Sequence, residues 1–540
     1  MSKNRLVRFG FLILSIIVLS AASYLSLQKK EALFLDEYYS FGCANGVTHG
    51  KAMPFLNNHT YSQEELNLLV LDTYAVNPDE RFRFDVVWRN MDSNVHPPVF
   101  YALLHFVCSW TPGVYAFWQP YIVNLFFAVI SLIFVQKFVK SLTQSELLAG
   151  MICLIWSGTF GLTAAVVFMR DYMAALCSCL IAAWECFRYL KGNRRIPDLI
   201  KIAVSSALAV LCHFYCAIYL FFLCAVLCVI LMCHKNWKSV FQIIVSEIGA
   251  ALLAIAVFPS MISRMFTSGR GVEATENLLD TDMSSYGVSL EYYLRNAQSY
   301  LFGNKLIYIL LLIVLLFLVS RFLLKKAGGS NRTPSDTLGQ RLEVVLLLTI
   351  PSFCYLLLIS KIAPFQTPRY LYPVYAVIFL SVFAALYYAA KDLGRDRLVA
   401  AGLSVVMLGS SVYSWRTGRL SNMYQGLHEN FEERLEPHRG IDAVQIWSKY
   451  DSMMCVTIPE YEYFSTVTFF NKSSDEDILA FPAFSEGKEL MLLLEKGNSE
   501  PSLRLILDAY PEYEALSLGN VDQQGRFVNY YLQKKETGNT

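Results

Sequence analysis

Apolar residues along this chain come in long blocks separated by short polar stretches. The blocks lie near 9–27, 114–139, 146–168, 172–190, 198–213, 215–233, 239–260, 302–324, 342–360, 370–390 and 397–415. Each approaches the ~20 residues that carry an α-helix across a bilayer. The pattern predicts a polytopic α-helical membrane protein with about eleven spanning helices. A further apolar run at 99–110 is too short to span and predicts an interfacial or re-entrant helix. After residue 420 the pattern changes. Glu429, Glu432, Glu433, Glu436, Asp442, Asp451, Glu460 and Glu462 mark a soluble region. Within it, 453–458, 490–494 and 528–532 predict short strands, and 441–449 predicts a helix. The expected organisation is a membrane domain over 1–420 and a small α/β domain over 421–540. A glycine- and proline-bearing linker is expected at 327–336, and no internal repeat is visible.

Composition agrees. Of 540 residues 55% are hydrophobic and 16% charged, against about 25% charged in a soluble protein. The net charge of +1 and the lack of a basic stripe exclude a nucleic-acid partner. Ten of the thirteen cysteines, from Cys153 to Cys233 together with Cys354, fall in or beside apolar blocks, where they serve as small packing residues. Only Cys43 and Cys455 are expected outside.

Basic residues set the orientation. With the N-terminus inside, Lys137 and Lys140, Lys191, Arg194 and Arg195, Lys235 and Lys238, Arg321 to Arg341, and Lys391 to Arg397 all fall on the inner side. Lys361, Arg369, Arg416 and Arg419 are the outer exceptions. Lys3, Arg5 and Arg8 ahead of the first block read as a signal-like start, and an uncleaved first helix is expected. This arrangement puts a loop at 28–113, a loop at 261–301 and the C-terminal domain on the extracytoplasmic side of the cell membrane.

The first outer loop opens with Phe34-Leu35-Asp36-Glu37-Tyr38-Tyr39 and later carries His96-Pro97-Pro98. Acids at a membrane edge are costly to desolvate and call for a reason. Arg170-Asp171-Tyr172 stands at an outer helix end, and Pro368-Arg369-Tyr370-Leu371-Tyr372-Pro373 comes late in the chain. In their order, spacing and common side, these motifs resemble membrane-embedded GT-C glycosyltransferases. The resemblance is to the protein O-mannosyltransferase-like enzymes, the lipid A aminoarabinose transferases and the rhizobial lipopolysaccharide-core transferases. It covers roughly residues 1–420. It implies a GT-C membrane domain, a polyprenyl-phosphate sugar donor and a catalytic-base or acceptor-orienting role for Asp36.

The residues suit that chemistry. A carboxylate within reach of an acceptor hydroxyl can take its proton. Asp36 is the candidate base, and Glu37 would raise its pKa by like-charge repulsion or orient substrate. The other reading has both as solvated acids at a helix exit. Arg170 and Arg369 suit the leaving phosphate, since a guanidinium binds two phosphate oxygens at once; headgroup snorkelling is the alternative for each. His96, His213 and Lys361 are further candidates for phosphate or sugar contact, with a structural role for His96 and interfacial aromatic packing for His213 as the alternatives; Tyr38 or Tyr39 is the candidate for stacking on a sugar ring, with membrane-interface anchoring as the alternative. A phosphate ester leaves readily, so no metal or other cofactor is expected. Some relatives in the resembled family carry an Asp-x-Asp metal motif, which the resemblance puts at Asp280-Thr281-Asp282, with a solvated loop as its alternative. The expected partners are the polyprenyl-phosphate sugar, the bilayer, and a glycan, lipid or protein acceptor, with inversion at the sugar carbon. The alternative function is a transporter or flippase. It would call for inverted repeats and mid-membrane charges, whereas Glu185 and Glu247 are expected near inner helix ends. A membrane sensor would leave the outer acids unexplained.

Overall fold

A computed structural model describes residues 3–47, 53–192, 194–281, 283–326, 338–393, 396–448, 451–473 and 475–535. The linker at 327–336 and Asp282 lie outside the described residues. The chain forms two compact units. The first comprises Met1–Ser26, Met91–Phe100 and Pro120–Ser421, and the second Leu27–Asn90, Tyr101–Gln119 and Asn422–Thr540. The loop at 28–113, expected with the membrane domain, thus falls mostly in the unit of the C-terminal residues.

Among the described residues, 9 helices are long and apolar enough to cross a membrane, or up to 10 if one bent pair is a single crossing. The apolar pattern suggests about eleven, and the difference has two causes. The block at 146–168 is two helices, Glu146–Ser157 and Phe160–Val167, bent by 53°. Gly158 and Thr159 make the break. The freed Gly158 carbonyl accepts hydrogen bonds from Trp415 Nε1 (2.8 Å) and Ser411 Oγ (3.2 Å), as a break in an apolar setting requires. The block at 198–213 is the 17-residue helix Ile196–Cys212, short and carrying Asp198 and Lys201 near its start.

Glu247 also departs from expectation. It stands at the middle of the helix Trp237–Val257, ten residues from each end, and accepts a 3.0 Å hydrogen bond from Ser206 Oγ. Arg341 and Asp392 form a paired contact (2.7 and 3.0 Å) that ties Leu338–Ile362 to the turn after Tyr375–Ala390. The apolar run at 99–110 is the 11-residue helix Val99–Ser109.

The second unit is built on a six-stranded sheet: β1 His59–Ser62, β2 Asp442–Trp447, β3 Thr466–Asn471, β4 Leu490–Glu495, β5 Tyr513–Gly519 and β6 Phe527–Lys534, in the order β1-β3-β2-β4-β6-β5. β3, β2 and β4 are parallel, and the outer pairings are antiparallel. The expected helix at 441–449 is the central strand β2, and the expected strand at 453–458 lies within the 3-10 stretch Asp451–Tyr463. A strand flanked on both sides and covered on both faces has no polar face, so its sequence lacks the period of two. Accordingly Ala443 to Trp447 are all buried, and Val444 and Ile446 join Phe470, Leu492, Ile506 and Leu532 in one core. β1 comes from the first loop and pairs with β3, with Thr60 Oγ1 2.8 Å from Thr468 Oγ1.

Candidate active site

Arg170 and Asp171 occupy a break between the helices Phe160–Val167 and Tyr172–Lys191. A helix end leaves carbonyls without intrahelical partners. Asn124, on the helix Trp118–Thr143, supplies them: its amide donates to the carbonyls of Val166 (3.0 Å) and Phe168 (2.8 Å). The tied-down break turns Arg170 and Asp171 inward, 3% and 0% exposed.

Asp171 holds the N-cap position of Tyr172–Lys191, yet its carboxylate makes no cap hydrogen bond. It lies instead 3.0 Å from Nδ1 of His96, whose Nε2 is 2.8 Å from an Arg170 guanidinium nitrogen. Arginine has donors only. Arg170 therefore donates to His96 Nε2, and His96, neutral, donates from Nδ1 to Asp171. Burial by itself would raise the Asp171 pKa. The hydrogen bond from His96 and the charge of Arg170 outweigh burial and hold the carboxyl well below the usual carboxylate range.

His213 follows the helix Ile196–Cys212 and is buried. Its ring lies 5.5 Å from that of His96 and 4.8 Å from that of Tyr172, and its Nδ1 accepts from the Tyr215 backbone N–H at 3.1 Å. Arg369 is in the buried 3-10 segment Pro368–Val374. Its guanidinium packs over the rings of Phe168 (5.4 Å) and Tyr370 (5.6 Å). The rings of Tyr370 and Tyr372 flank Tyr172 at 6.2 and 6.3 Å. Four of the candidates, His96, Arg170, His213 and Arg369, thus converge around Tyr172. Two guanidinium charges and one carboxylate leave the cluster with net positive charge.

No family model and no curated protein matches this sequence. Among solved structures, the chain is similar to the undecaprenyl-phosphate-bound ArnT of Cupriavidus metallidurans. The identity is 11% and the TM-score 0.49, over 97% of this chain and 98% of that one. It is also similar to the oligosaccharyltransferase AglB of Archaeoglobus fulgidus, solved with an inhibitory peptide and a dolichol-phosphate. There the identity is 10% and the TM-score 0.41, over 93% and 72% of the two chains.

The other candidates lie on other elements. Asp36, Glu37 and Tyr38 lie in the second unit, in the first turns of the helix Leu35–Asn45. Asp36 is half-buried there, where the helix N-terminus favours a carboxylate. Glu37 is fully buried. It pairs with Lys30 Nζ at 2.9 Å and accepts from the Phe34 N–H at 2.7 Å, completing the helix start. Tyr38 is buried against the rings of Tyr74 (5.7 Å) and Tyr115 (6.5 Å), and burial pushes its phenol pKa up. Tyr424, within electrostatic reach of Asp36, lines a groove of about 430 Å³ with Glu429, Asn430, Glu433, Asp522 and Gln523. Lys361 is at the end of Leu338–Ile362 and donates to the Asp280 carbonyl at 2.8 Å.

Sequence reasoning passes over the roles of Asp171 and Lys30. Asp171 carries a visible signal, an acid directly after Arg170 at a helix start. Lys30 carries none, because its partner is fixed only by the turn between residues 28 and 34.

Proposed function

We propose that this chain is a membrane glycosyltransferase of the GT-C type, moving a sugar from a polyprenyl phosphate to an acceptor on the extracytoplasmic face. The observation that carries the reading is the convergence of Arg170 and Arg369 with His96 and His213 around Tyr172. Two buried guanidiniums, one tied by His96 to an acid and one resting on aromatic rings, make a preorganised site for a phosphate diester.

In this reading the acceptor oxygen attacks the anomeric carbon, and the carbon–oxygen bond to phosphate breaks. The electron pair leaves with the polyprenyl phosphate, which gains one negative charge. Asp36 takes the acceptor proton and becomes neutral. One displacement inverts the anomeric centre. Arg369 and Arg170 meet the charge that grows on the phosphate, and no step calls on a metal. Glu37 serves the base indirectly, since its bonds to Lys30 and Phe34 set the helix turn that carries Asp36. The residues lining the groove beside Tyr424 offer three carboxylates and no cation, which favours an uncharged or amine-bearing acceptor over an anionic one.

A transporter reading has one observation in its favour, the mid-helix Glu247. Its serine partner on a neighbouring helix gives that acid a packing role without transport. The deciding experiment is Asp36→Asn, which keeps shape and removes basicity. Cells expressing it at the wild-type level should lose the surface glycan that the wild-type chain adds. Unchanged glycans would sink the assignment of the base.

A further inference from the structure

The cluster around Asp171 has the composition of a metal site. One ring nitrogen of His96, one of His213 and one carboxylate oxygen of Asp171 lie within 4.8 Å of one another. The hydrogen bonds argue for a different occupant. A histidine ligates a metal through a nitrogen lone pair. On His96 the Nε2 lone pair is taken by Arg170, and Nδ1 carries a proton toward Asp171. On His213 the Nδ1 lone pair is taken by the Tyr215 N–H, so Nε2 carries the proton. Both imidazoles are held in the tautomer that leaves no lone pair for a cation, and the Arg170 charge is adjacent.

Two atoms of the cluster have no hydrogen-bond partner among the described residues: Nε2 of His213, a donor, and Oδ1 of Asp171, an acceptor. Both are buried, His213 at 4% and Asp171 at 0% exposure. An orphaned buried polar atom bears the full desolvation penalty of its group, so two of them in one cluster require a reason. The group that satisfies both atoms must accept from one side and donate to the other. A phosphate oxygen has no proton for Asp171, an ammonium has no lone pair for His213, and a carbonyl has no proton to give. A hydroxyl has both, and a water molecule, which also has both, would hold its place until a substrate hydroxyl displaces it.

We propose that His213 Nε2–H and Asp171 Oδ1 together form a binding site for one hydroxyl group of the sugar carried on the lipid phosphate. The site would hold the sugar beside the phosphate-binding arginines. This rests on the donor reading above. Asp171 here is a positioning residue, because its bond to His96 also orients Arg170.

The test uses full-length protein in nanodiscs. The probes are undecaprenyl phosphate alone and undecaprenyl phosphate bearing single hexoses. At least one hexose should raise affinity roughly tenfold over the bare lipid, as expected for a buried hydroxyl with two partners. His213→Phe keeps the ring against Tyr172 and removes the donor. It should erase that increment, so that the bare and the sugar-bearing lipid bind the variant with equal affinity. An increment that survives His213→Phe overturns the proposal. If the bare lipid phosphate does not bind, the donor reading fails, and a map of the unliganded protein near 2 Å decides the hydroxyl site separately. An oxygen bonded to both Nε2 and Oδ1 supports it. A direct His213–Asp171 bond, or a stoichiometric zinc ion that His213→Phe removes, overturns it.

Discussion

Lys30 and Glu37 form an ion pair at 2.9 Å with both side chains fully buried. Lys30 also donates to the Asn422 carbonyl at 2.6 Å, and Glu37 accepts from the Phe34 N–H. The pair fastens the start of the helix Leu35–Asn45 to the first residues of the C-terminal segment within the second unit. Breaking one side leaves an uncompensated buried charge, which costs about 3–5 kcal/mol. Lys30→Met should therefore lower the melting temperature markedly. The double variant Lys30→Met with Glu37→Gln should recover part of the loss, because neither charge is then stranded. Thermal unfolding of the detergent-purified protein checks both. Equal loss in the single and double variants would deny the pairing its structural role.

Glu31 makes stability depend on pH. Its carboxylate accepts from the Gly426 N–H (3.1 Å) and the His428 N–H (3.0 Å), at the start of the helix Leu427–Arg434. Burial raises its pKa, but these backbone bonds and the His428 ring outweigh burial and leave it lowered. A carboxylate lowered on folding contributes stability that is fully present above its ordinary value and is lost as pH falls from there through the lowered folded-state value. The difference in melting temperature between wild type and Glu31→Gln should be widest at neutral pH and close below about pH 4.5. A constant difference across that range would contradict the bonding.

Arg369 and lysine should not be interchangeable. The guanidinium lies over Phe168 and Tyr370, a stacking that an ammonium does not reproduce, and it offers two parallel donors to a phosphate. Arg369→Lys should weaken undecaprenyl-phosphate binding by about tenfold, on the order of 1.4 kcal/mol. Lipid titration of the nanodisc-embedded protein reads it, and wild-type affinity would remove Arg369 from the phosphate site.

Two glycines separate backbone strain from crowding. Gly303, after the helix Ser284–Phe302, has φ of +57°, and an added Cβ would sit 2.3 Å from Tyr413 Cβ. Gly426 has φ of +85° with nothing within 4 Å. Gly426→Ala should cost about 1 kcal/mol for the left-handed backbone alone. Gly303→Ala carries that cost plus a steric clash and should be clearly the more damaging in a thermal melt. Equal losses would mean that the chain near Tyr413 yields easily.

Much of the membrane unit is legible in the sequence because crossing a bilayer demands a long apolar run, and that demand is written locally. The ends of most long helices follow from it, as does the change in composition after residue 420. Polar motifs at block edges also mark His96, Arg170, His213 and Arg369 as candidates by sequence alone. Where a residue's environment depends on distant chain, the sequence is silent or misleading. β2 reads as helical because burial on both faces removes the alternation that betrays a strand. The bend after Ser157 depends on Trp415 and Ser411 reaching the Gly158 carbonyl from far along the chain. Glu37 reads as a partner for Asp36, but in the fold Lys30 claims it. Asp171 gets no role of its own from the sequence, but in the fold His96 lies against its carboxylate. Hydrophobic length is a property of consecutive residues, whereas hydrogen-bond partners, tautomers and charge pairing belong to the packed interior, which tertiary structure alone assembles.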